Sequence, residues 1–587
     1  MTTTLEILPL AKKVKVRKKI FLSEALRDAD VPVSLYCQGR GVCGKCFIEV
    51  LDGKLPFFQP GEEELLKRAG LSPAHRLACQ FVVESDIRLR IPERSLLGRV
   101  AVLDPAIEIR LPFDPVIKKY AVSLPRPEVT TAEAELDLLL RAVKSGPLTI
   151  PLAVLQELPL TLQRSGRLIT AVVRGGQELM AVEPGDTSAA IFGVAFDLGT
   201  TSLVAELVDL ASGRTMGREA CLNSQTAYGA DVVSRISLAY EDSGRAAILR
   251  RAVLSDMNRL IRETAASAGL SPVMIQAASV AGNTAMSHLF LGLPVDTLAV
   301  APFNPVFSAL PDLPASELGL EIHPQGTVYI APNIRSFVGG DTSAGLAASG
   351  FSDGRTTALY LDLGTNGEIV LRKGRKLWTT STAAGPAFEG MNISCGMLAL
   401  PGAIYKVEED LGGFRCSTVD GAPAKGVCGT GLIDAASLSL EQGLLTPQGQ
   451  VTTASKTIPL TGSLALTQKD IRELQLAVGA VKAGIRMMLE ANGLKAGDLE
   501  EVLIAGAFGS YLSVEHSIRL GLLPEVEQRL VRFLGNASLA GTKAFLVSVP
   551  SRKKAEETAA RIEHFSLASR PAFQEVFVSS LEFRTWK

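Results

Sequence analysis

Apolar residues recur at two spacings along this chain, and each change of spacing marks a boundary. From Leu5 to about Glu93, short alternating runs are broken by turns, as in Val14 to Phe21 and in Phe47 to Leu51, which Asp52-Gly53 closes. This predicts a small β-rich domain over residues 1–94. Over 95–129, Pro105, Pro112, Pro115, Pro125 and Pro127 punctuate β-like segments, a composition that predicts an extended, semi-rigid linker. The segment 130–189 turns helical in "AELDLLLRAV" and then strand-like in "RLITAVVRGG", so a small α/β module is expected. From Ile191 onward, apolar strand runs alternate with amphipathic helices such as Ala246 to Ala268 and Gln475 to Ala491, the pattern of an α/β architecture with parallel strands. "GVAFDLGTT" (Gly193 to Thr201) and "ALYLDLGTN" (Ala358 to Asn366) each put Asp-Leu-Gly-Thr at the end of an apolar strand. Residues 190–587 therefore read as one duplicated domain with lobes of about 190–357 and 358–587.

Composition narrows the class. A chain of 587 residues exceeds one hydrophobic core several times over, and 47% hydrophobic with 21% charged residues is the balance of an ordered globular protein. With 60 basic and 61 acidic residues, no global field favours nucleic acid or an anionic membrane, so partners must be recognised locally. The most apolar stretch, Ala277 to Val300, is interrupted by Asn283, His288 and Asp296, and Met1 to Leu10 lack a secretory pattern; a cytoplasmic protein without membrane spans is expected. The basic run from Lys12 to Lys19 reads either as a steering patch for an acidic donor or as a solvated strand face.

Four of the eight cysteines crowd into the first eighty residues, which points to metal rather than disulfides. Cys37, Cys43 and Cys46 form C-x5-C-x2-C in "YCQGRGVCGKC", and Cys79 follows after 32 residues in "HRLACQ". Thiolates suit zinc and iron-sulfur clusters alike. Gly39, Gly41 and Gly44 let the backbone wrap a cluster and aim N–H groups at sulfur, whereas zinc knuckles usually come as two paired cysteine motifs. The segment from about 4 to 94 resembles [2Fe-2S] ferredoxin domains, which implies a β-grasp fold; its spacing is similar to that of adrenodoxin-type members. Cys221, Cys395, Cys416 and Cys428 lack ligand spacing and read as small core residues.

The two Asp-Leu-Gly-Thr turns carry phosphate chemistry. Gly199 permits a tight turn, Thr200 and Thr201 supply donors, and Asp197 can hold Mg2+ through water. Asp362, Gly364, Thr365 and Asn366 offer the same set in the second copy. A third apolar strand, "VLIAGAFGSYL" (Val502 to Leu512), enters a Gly-rich turn suited to adenosine at Gly506 and Gly509. This order resembles the acetate and sugar kinase, heat-shock chaperone and actin superfamily; neither a P-loop nor a dinucleotide fingerprint is present. In "SFVGGDTSAG", which looks like the Gly-Asp segment of glycerol-kinase-like enzymes, Asp341 reads as a catalytic or Mg-orienting residue, or alternatively as a helix N-cap.

With both halves in place, the chain resembles the reductive activators of corrinoid proteins over essentially its full length. "NSQTAYGADVVSRI" (Asn223 to Ile236), "AGNTAMSHLFLGL" (Ala281 to Leu293) and "GPAFEGMNISCGM" (Gly385 to Met397) are similar to that family's recurring segments. The resemblance implies a ferredoxin-type domain, a linker, a middle domain used for dimerisation and an actin/hexokinase-like ATPase domain. It implies a [2Fe-2S] cluster, ATP and Mg2+ as cofactors, an upstream low-potential electron donor, and the Co(II) corrinoid protein of a methyltransferase system as partner. The rival class is a small-molecule kinase with a regulatory ferredoxin domain, with Asp341 as base.

Overall fold

The computed structural model describes residues 2–9, 12–29, 31, 33, 41, 44, 46–68, 71–92, 95, 112–126, 133–144, 146–229, 231–410, 413–506, 511–567 and 569–586. The N-terminal sheet has five strands in the order Lys12–Arg17, Thr2–Leu8, Ile87–Arg90, Phe47–Asp52, His75–Leu77. Its first and last strands pair in parallel at the centre, and helix Leu22–Asp28 buries Leu22, Ala25 and Leu26 in a core shared with Leu5, Ile7 and Leu89. A mixed sheet crossed by a helix is the expected β-grasp. Along Lys12–Arg17, Lys13, Lys15 and Arg17 are exposed while Val16 is buried, so the alternation of a solvated strand face accounts for these charges.

The small module is a three-stranded antiparallel sheet of Ile117–Ser123, Leu168–Arg174 and Glu178–Pro184, covered by helices Glu135–Val143 and Leu152–Ser165 through Leu139, Val154 and Leu158. Here the expected linker over 95–129 needs correction, because Ile117–Ser123 lies inside it and is an integral strand. Pro115 and Pro125 sit just beyond the strand ends, where no ladder N–H is demanded of them, so their presence does not break the pairing. Val116 and Ile117 also pack with Ala195, Val208 and Leu546 of the large domain.

The large domain is duplicated in topology as well as in motif. Its first sheet runs Arg214–Leu222, Ser202–Asp209, Phe192–Leu198, Ile275–Gly282, Thr327–Ile330, with Leu313–Pro314 at the edge. The second runs Lys376–Thr382, Gly367–Lys373, Ala358–Leu363, Glu501–Ala505, Val531–Gly535, with Glu563–His564 beside Lys376–Thr382. In each, an antiparallel meander of three strands is followed by parallel neighbours. The expected amphipathic helices appear as Ser243–Ser267, capped by Asp242, and Gln468–Ala491. The latter starts earlier than its apolar periodicity indicates, because Thr467 and Asp470 form a capping box. Among the described residues, no helix is long and apolar enough to cross a membrane.

Two helices tie the lobes together by exchange. Gly340–Ser349 leaves the first lobe and packs Leu346 with Tyr360 and Val370 of the second; Ala537–Val547 leaves the second and packs Leu539 and Leu546 with Ala195 and Val204 of the first. They cross where a Cβ on Gly541 would lie 2.1 Å from the Ala344 carbonyl oxygen. Backbone cannot yield as a flexible side chain can, so Gly541→Ala should cost about 1–3 kcal/mol of stability. A denaturant midpoint equal to that of the parent would show that the crossing is looser than this.

Candidate functional site

In the N-terminal domain, Cys46 and Cys79 are buried at 1% and 4% exposure. The Ala78 amide donates to the Cys46 carbonyl at 2.8 Å, and Glu62 accepts the Leu77 amide at 2.7 Å, so the two cysteine-bearing segments are fixed to each other. Gly41 and Gly44 adopt φ of +71° and +62°, and Gly41 lies against the Gln80 side chain, so these glycines supply the left-handed turns that a cluster loop requires. Cys37 and Cys43 lie outside the described residues. A [2Fe-2S] cluster fits a donor set that includes the Cys46 and Cys79 thiols beside the glycine turns at Gly41 and Gly44.

In the large domain, the two Asp-Leu-Gly-Thr turns meet. The Thr201 and Thr365 hydroxyls each donate to the same oxygen, Glu389 Oε2, at 2.9 Å, and their oxygens are 3.2 Å apart. The first turn is held from behind: Asn223 Nδ2 donates to the Gly199 carbonyl at 2.9 Å, Asn283 Nδ2 to Thr200 Oγ1 at 2.9 Å, and Arg235 Nη2 to the Thr200 carbonyl at 2.6 Å. A Cβ on Gly199 would stand 2.5 Å from the Ser202 carbonyl, so only glycine closes this turn. In the second turn, the Gly364 amide donates to the Asn366 carbonyl at 3.0 Å.

Carboxylates converge behind these turns. Asp197 accepts from Asn536 Nδ2 and Ser538 Oγ, each at 2.8 Å, which ties the first turn to the N-terminus of the exchanged helix. Asp362 and Glu368 face each other in register on adjacent strands. Asp341 lies in the first turn of its helix, whose N-cap is Gly339, so the N-cap reading does not hold; its Oδ1 accepts the neighbouring Thr342 amide and hydroxyl. Burial, reinforced by Asp197, pushes Asp341 up to about 7. Burial, with Asp341 and Asp197 adding, pushes Asp362 up to about 8. Burial also raises Asp197 and Glu389, and lifts Glu368 well above the usual carboxylate range. The Tyr360 hydroxyl is fully buried, has no hydrogen-bond partner among the described residues, and feels four of these acids, Asp362, Asp341, Glu368 and Asp197. These four form no ion pair with a Lys or Arg among the described residues. Carboxyls crowded this closely, and raised by desolvation and by one another, would be relieved by a bound cation. Among the described residues no three His, Cys, Asp or Glu side chains already form a direct ligand cage. A hydrated Mg2+, held by carboxylates through its water shell, fits this looser convergence.

The structure thus brings together Asp197, Gly199, Thr200, Thr201, Asp341, Asp362, Gly364, Thr365 and Asn366. Gly506 joins them from the end of strand Glu501–Ala505: with φ +98°, a Cβ there would stand 2.7 Å from the Leu363 carbonyl and 3.3 Å from Asp362 Oδ1. Its close backbone approach is therefore to the second turn. Gly509 lies outside the described residues. Sequence reasoning missed Glu389, Glu368, Arg235, Asn223, Asn283, Asn536 and Ser538. Four of these, Asn223, Arg235, Asn283 and Glu389, fall inside the three segments whose family likeness was noted without a role. Cys221 and Cys428 are buried, and Cys395 and Cys416 pack at the edge of the second-lobe core, as small core residues do.

A ferredoxin-type domain joined to a two-lobed nucleotide-binding fold defines the class: an iron-sulfur protein fused to an actin-like ATPase domain. Four family models tile the chain: a 2Fe-2S iron-sulfur cluster binding domain over 7–84, the RACo linker region over 106–189, the RACo middle region over 192–354, and the C-terminal domain of RACo, the ASKHA domain, over 356–587. A solved structure, "Reductive activator for corrinoid,iron-sulfur protein", is 33% identical with a TM-score of 0.77 and covers 99% of this chain and 98% of its own. The chain belongs to the family of reductive activators of corrinoid proteins. It is also 29% identical over 602 residues to "Corrinoid activation enzyme RamQ" of Eubacterium limosum, covering 98% of both chains. The "[Co(II) methylated amine-specific corrinoid protein] reductase" of Methanosarcina barkeri is 28% identical over 433 residues, 67% of this chain and 77% of that protein.

Proposed function

We propose that this protein uses ATP to deliver an electron from its [2Fe-2S] cluster to the Co(II) corrinoid of a partner protein, giving the Co(I) form that accepts methyl groups. The observation that carries the reading is the union, in one chain, of a ferredoxin fold presenting Cys46 and Cys79 with two phosphate-type turns that meet across a lobe boundary at Thr201 and Thr365. The relatives' names supply the substrate class. Cys37, Cys43, Cys46 and Cys79 hold the cluster, which supplies one-electron chemistry at low potential. Asp197 and Asp362 hold hydrated Mg2+ from the two turns, whose amides and hydroxyls face the phosphates, with adenosine toward Gly506 and Gly509. Asp341, half-buried and within electrostatic reach of both, orients the hydrolytic water or the ion.

The energetic need for ATP follows from potentials. Clusters of the plant ferredoxin type sit near about −400 mV, and each ~59 mV by which the cobalt couple lies lower makes transfer tenfold less favourable. Nucleotide-dependent closure of lobes joined by exchanged helices changes docking on the partner, or ligation of its cobalt, so that transfer proceeds. The upstream donor is a low-potential reductant. The small module serves as the dimer contact, a reading supported by the exposed Leu152, Leu155 and Leu160 on one of its helices.

Mixing reduced protein with a Co(II) corrinoid protein under anaerobic conditions should produce Co(I) absorbance in the presence of MgATP and far less without it. Equal rate and yield in both arms would refute the coupling. Stoichiometric phosphoryl transfer to a small molecule would favour the kinase class instead.

A further inference from the structure

Glu389 takes up hydroxyls of the two turns assigned above to phosphate. It ends the single turn Pro386–Glu389 of the second lobe, set between Gly385 and Gly390 at φ +75° and +72°. A Cβ on Gly390 would lie 2.3 Å from the Met397 carbonyl, so the turn is pinned at that end, while Gly385 has open space around it. From this turn, Oε2 accepts the hydroxyls of Thr201 in one lobe and Thr365 in the other. A hydroxyl has one proton to donate. Both are spent on Glu389, yet each is a side-chain donor that its turn would offer to phosphate. A phosphate oxygen and the Glu389 carboxylate cannot both hold them, and two anions at one spot repel.

Arg235 completes the arrangement. It is fully buried, and its guanidinium donates to the Thr200 carbonyl, to the Gly229 carbonyl at 2.9 Å and to Gln225 Oε1 at 3.2 Å, so it is fixed to the first turn and not to Glu389. It nevertheless acts on Glu389 as the nearby opposite charge. If the carboxylate leaves, that positive charge stays with the turn and favours the incoming phosphate.

We infer that Glu389 is an internal stand-in for phosphate: its carboxylate latches the two turns across the lobes in the absence of nucleotide and is displaced when the phosphates of MgADP or MgATP take the Thr201 and Thr365 hydroxyls. Glu389 is a positioning residue, and its release reports phosphate occupancy to the Gly385–Gly390 segment. The inference rests on the assignment of the two turns to phosphate made above.

The test compares wild type and Glu389→Gln, both as full-length holoprotein, by calorimetric titration with adenosine, MgADP and MgATP. The glutamine keeps the size and an acceptor but loses the competing charge, so MgADP and MgATP should bind at least about fivefold tighter while adenosine is unchanged. Unchanged or weaker MgADP and MgATP binding with adenosine constant would overturn the latch and make Glu389 an aid to phosphate or metal binding. Equal shifts for all three ligands would overturn it as a general structural effect. Should the variant fold poorly, hydrogen exchange on wild type decides: amides of residues 387–391 should exchange faster with MgADP than with adenosine, and identical exchange sinks the proposal. Wild type that binds no adenine nucleotide would instead remove the nucleotide reading itself.

Discussion

Replacing Cys79 with Ser is expected to abolish the visible absorption of the cluster and reduce electron delivery to a corrinoid partner below detection, while MgATP affinity stays within about twofold because the two sites belong to separate hydrophobic cores. Cluster iron is held by thiolates, and a serine hydroxyl is a harder, far less acidic ligand that does not replace one. Cys79 is only 4% exposed, in a turn tied to the Cys46 strand by the Ala78 amide, so its position is set by the domain's own backbone bonds. That domain has its own core around Leu5, Ile48 and Leu89, which includes neither large-domain core, so losing the cluster should not unfold the lobes. Cys43→Ser should give the same result. Anaerobically purified Cys79→Ser with the native spectrum would remove Cys79 from the ligand set, and a colourless parent filled with zinc would remove the cluster.

What could be read along the chain was local chemistry. Asp-Leu-Gly-Thr announces itself because a strand end, a glycine-only turn and a hydroxyl must be contiguous to present phosphate donors, and the cysteine loop must crowd its ligands for the same reason. Residues that act from a distance left no such mark. Asn536 and Ser538 reach Asp197 across more than half of the chain, and an Asn before an apolar helix reads simply as a cap. Glu389 sat inside a segment noted for its family likeness, but its role depends on where two other segments come to rest. Strand Ile117–Ser123 was hidden by flanking prolines, which report only that no ladder N–H is needed at those positions. Glu368 follows the motif's Asn366 by two residues and faces Asp362 only because the hairpin register makes them partners.

Asp362→Asn should lower ATP turnover on the order of a hundredfold or more if, as proposed, its carboxylate holds the ion against the phosphates, because a neutral amide would then replace it. The same substitution should leave the thermal midpoint of the nucleotide-free protein unchanged or raise it. The reason lies in the pocket: Asp362 is half-buried near Asp341, Asp197 and Glu368, desolvation with Asp341 and Asp197 pushes it up to about 8, and an uncharged side chain of equal size relieves that crowding. Loss of activity without loss of stability separates a metal-orienting role from simple damage to the fold. In the complete system, the variant should reduce a Co(II) corrinoid partner no faster with MgATP than the parent does without nucleotide, while its cluster spectrum remains native. Turnover at the parental rate would show that the second turn does not handle the ion. Native nucleotide turnover with lost corrinoid reduction would place Asp362 in partner docking. Because the first turn's Asp197 is committed to Asn536 and Ser538, whereas among the described residues no such donors hold Asp362, the second turn carries the freer carboxylate there, and its loss should be the more costly of the two for the ion.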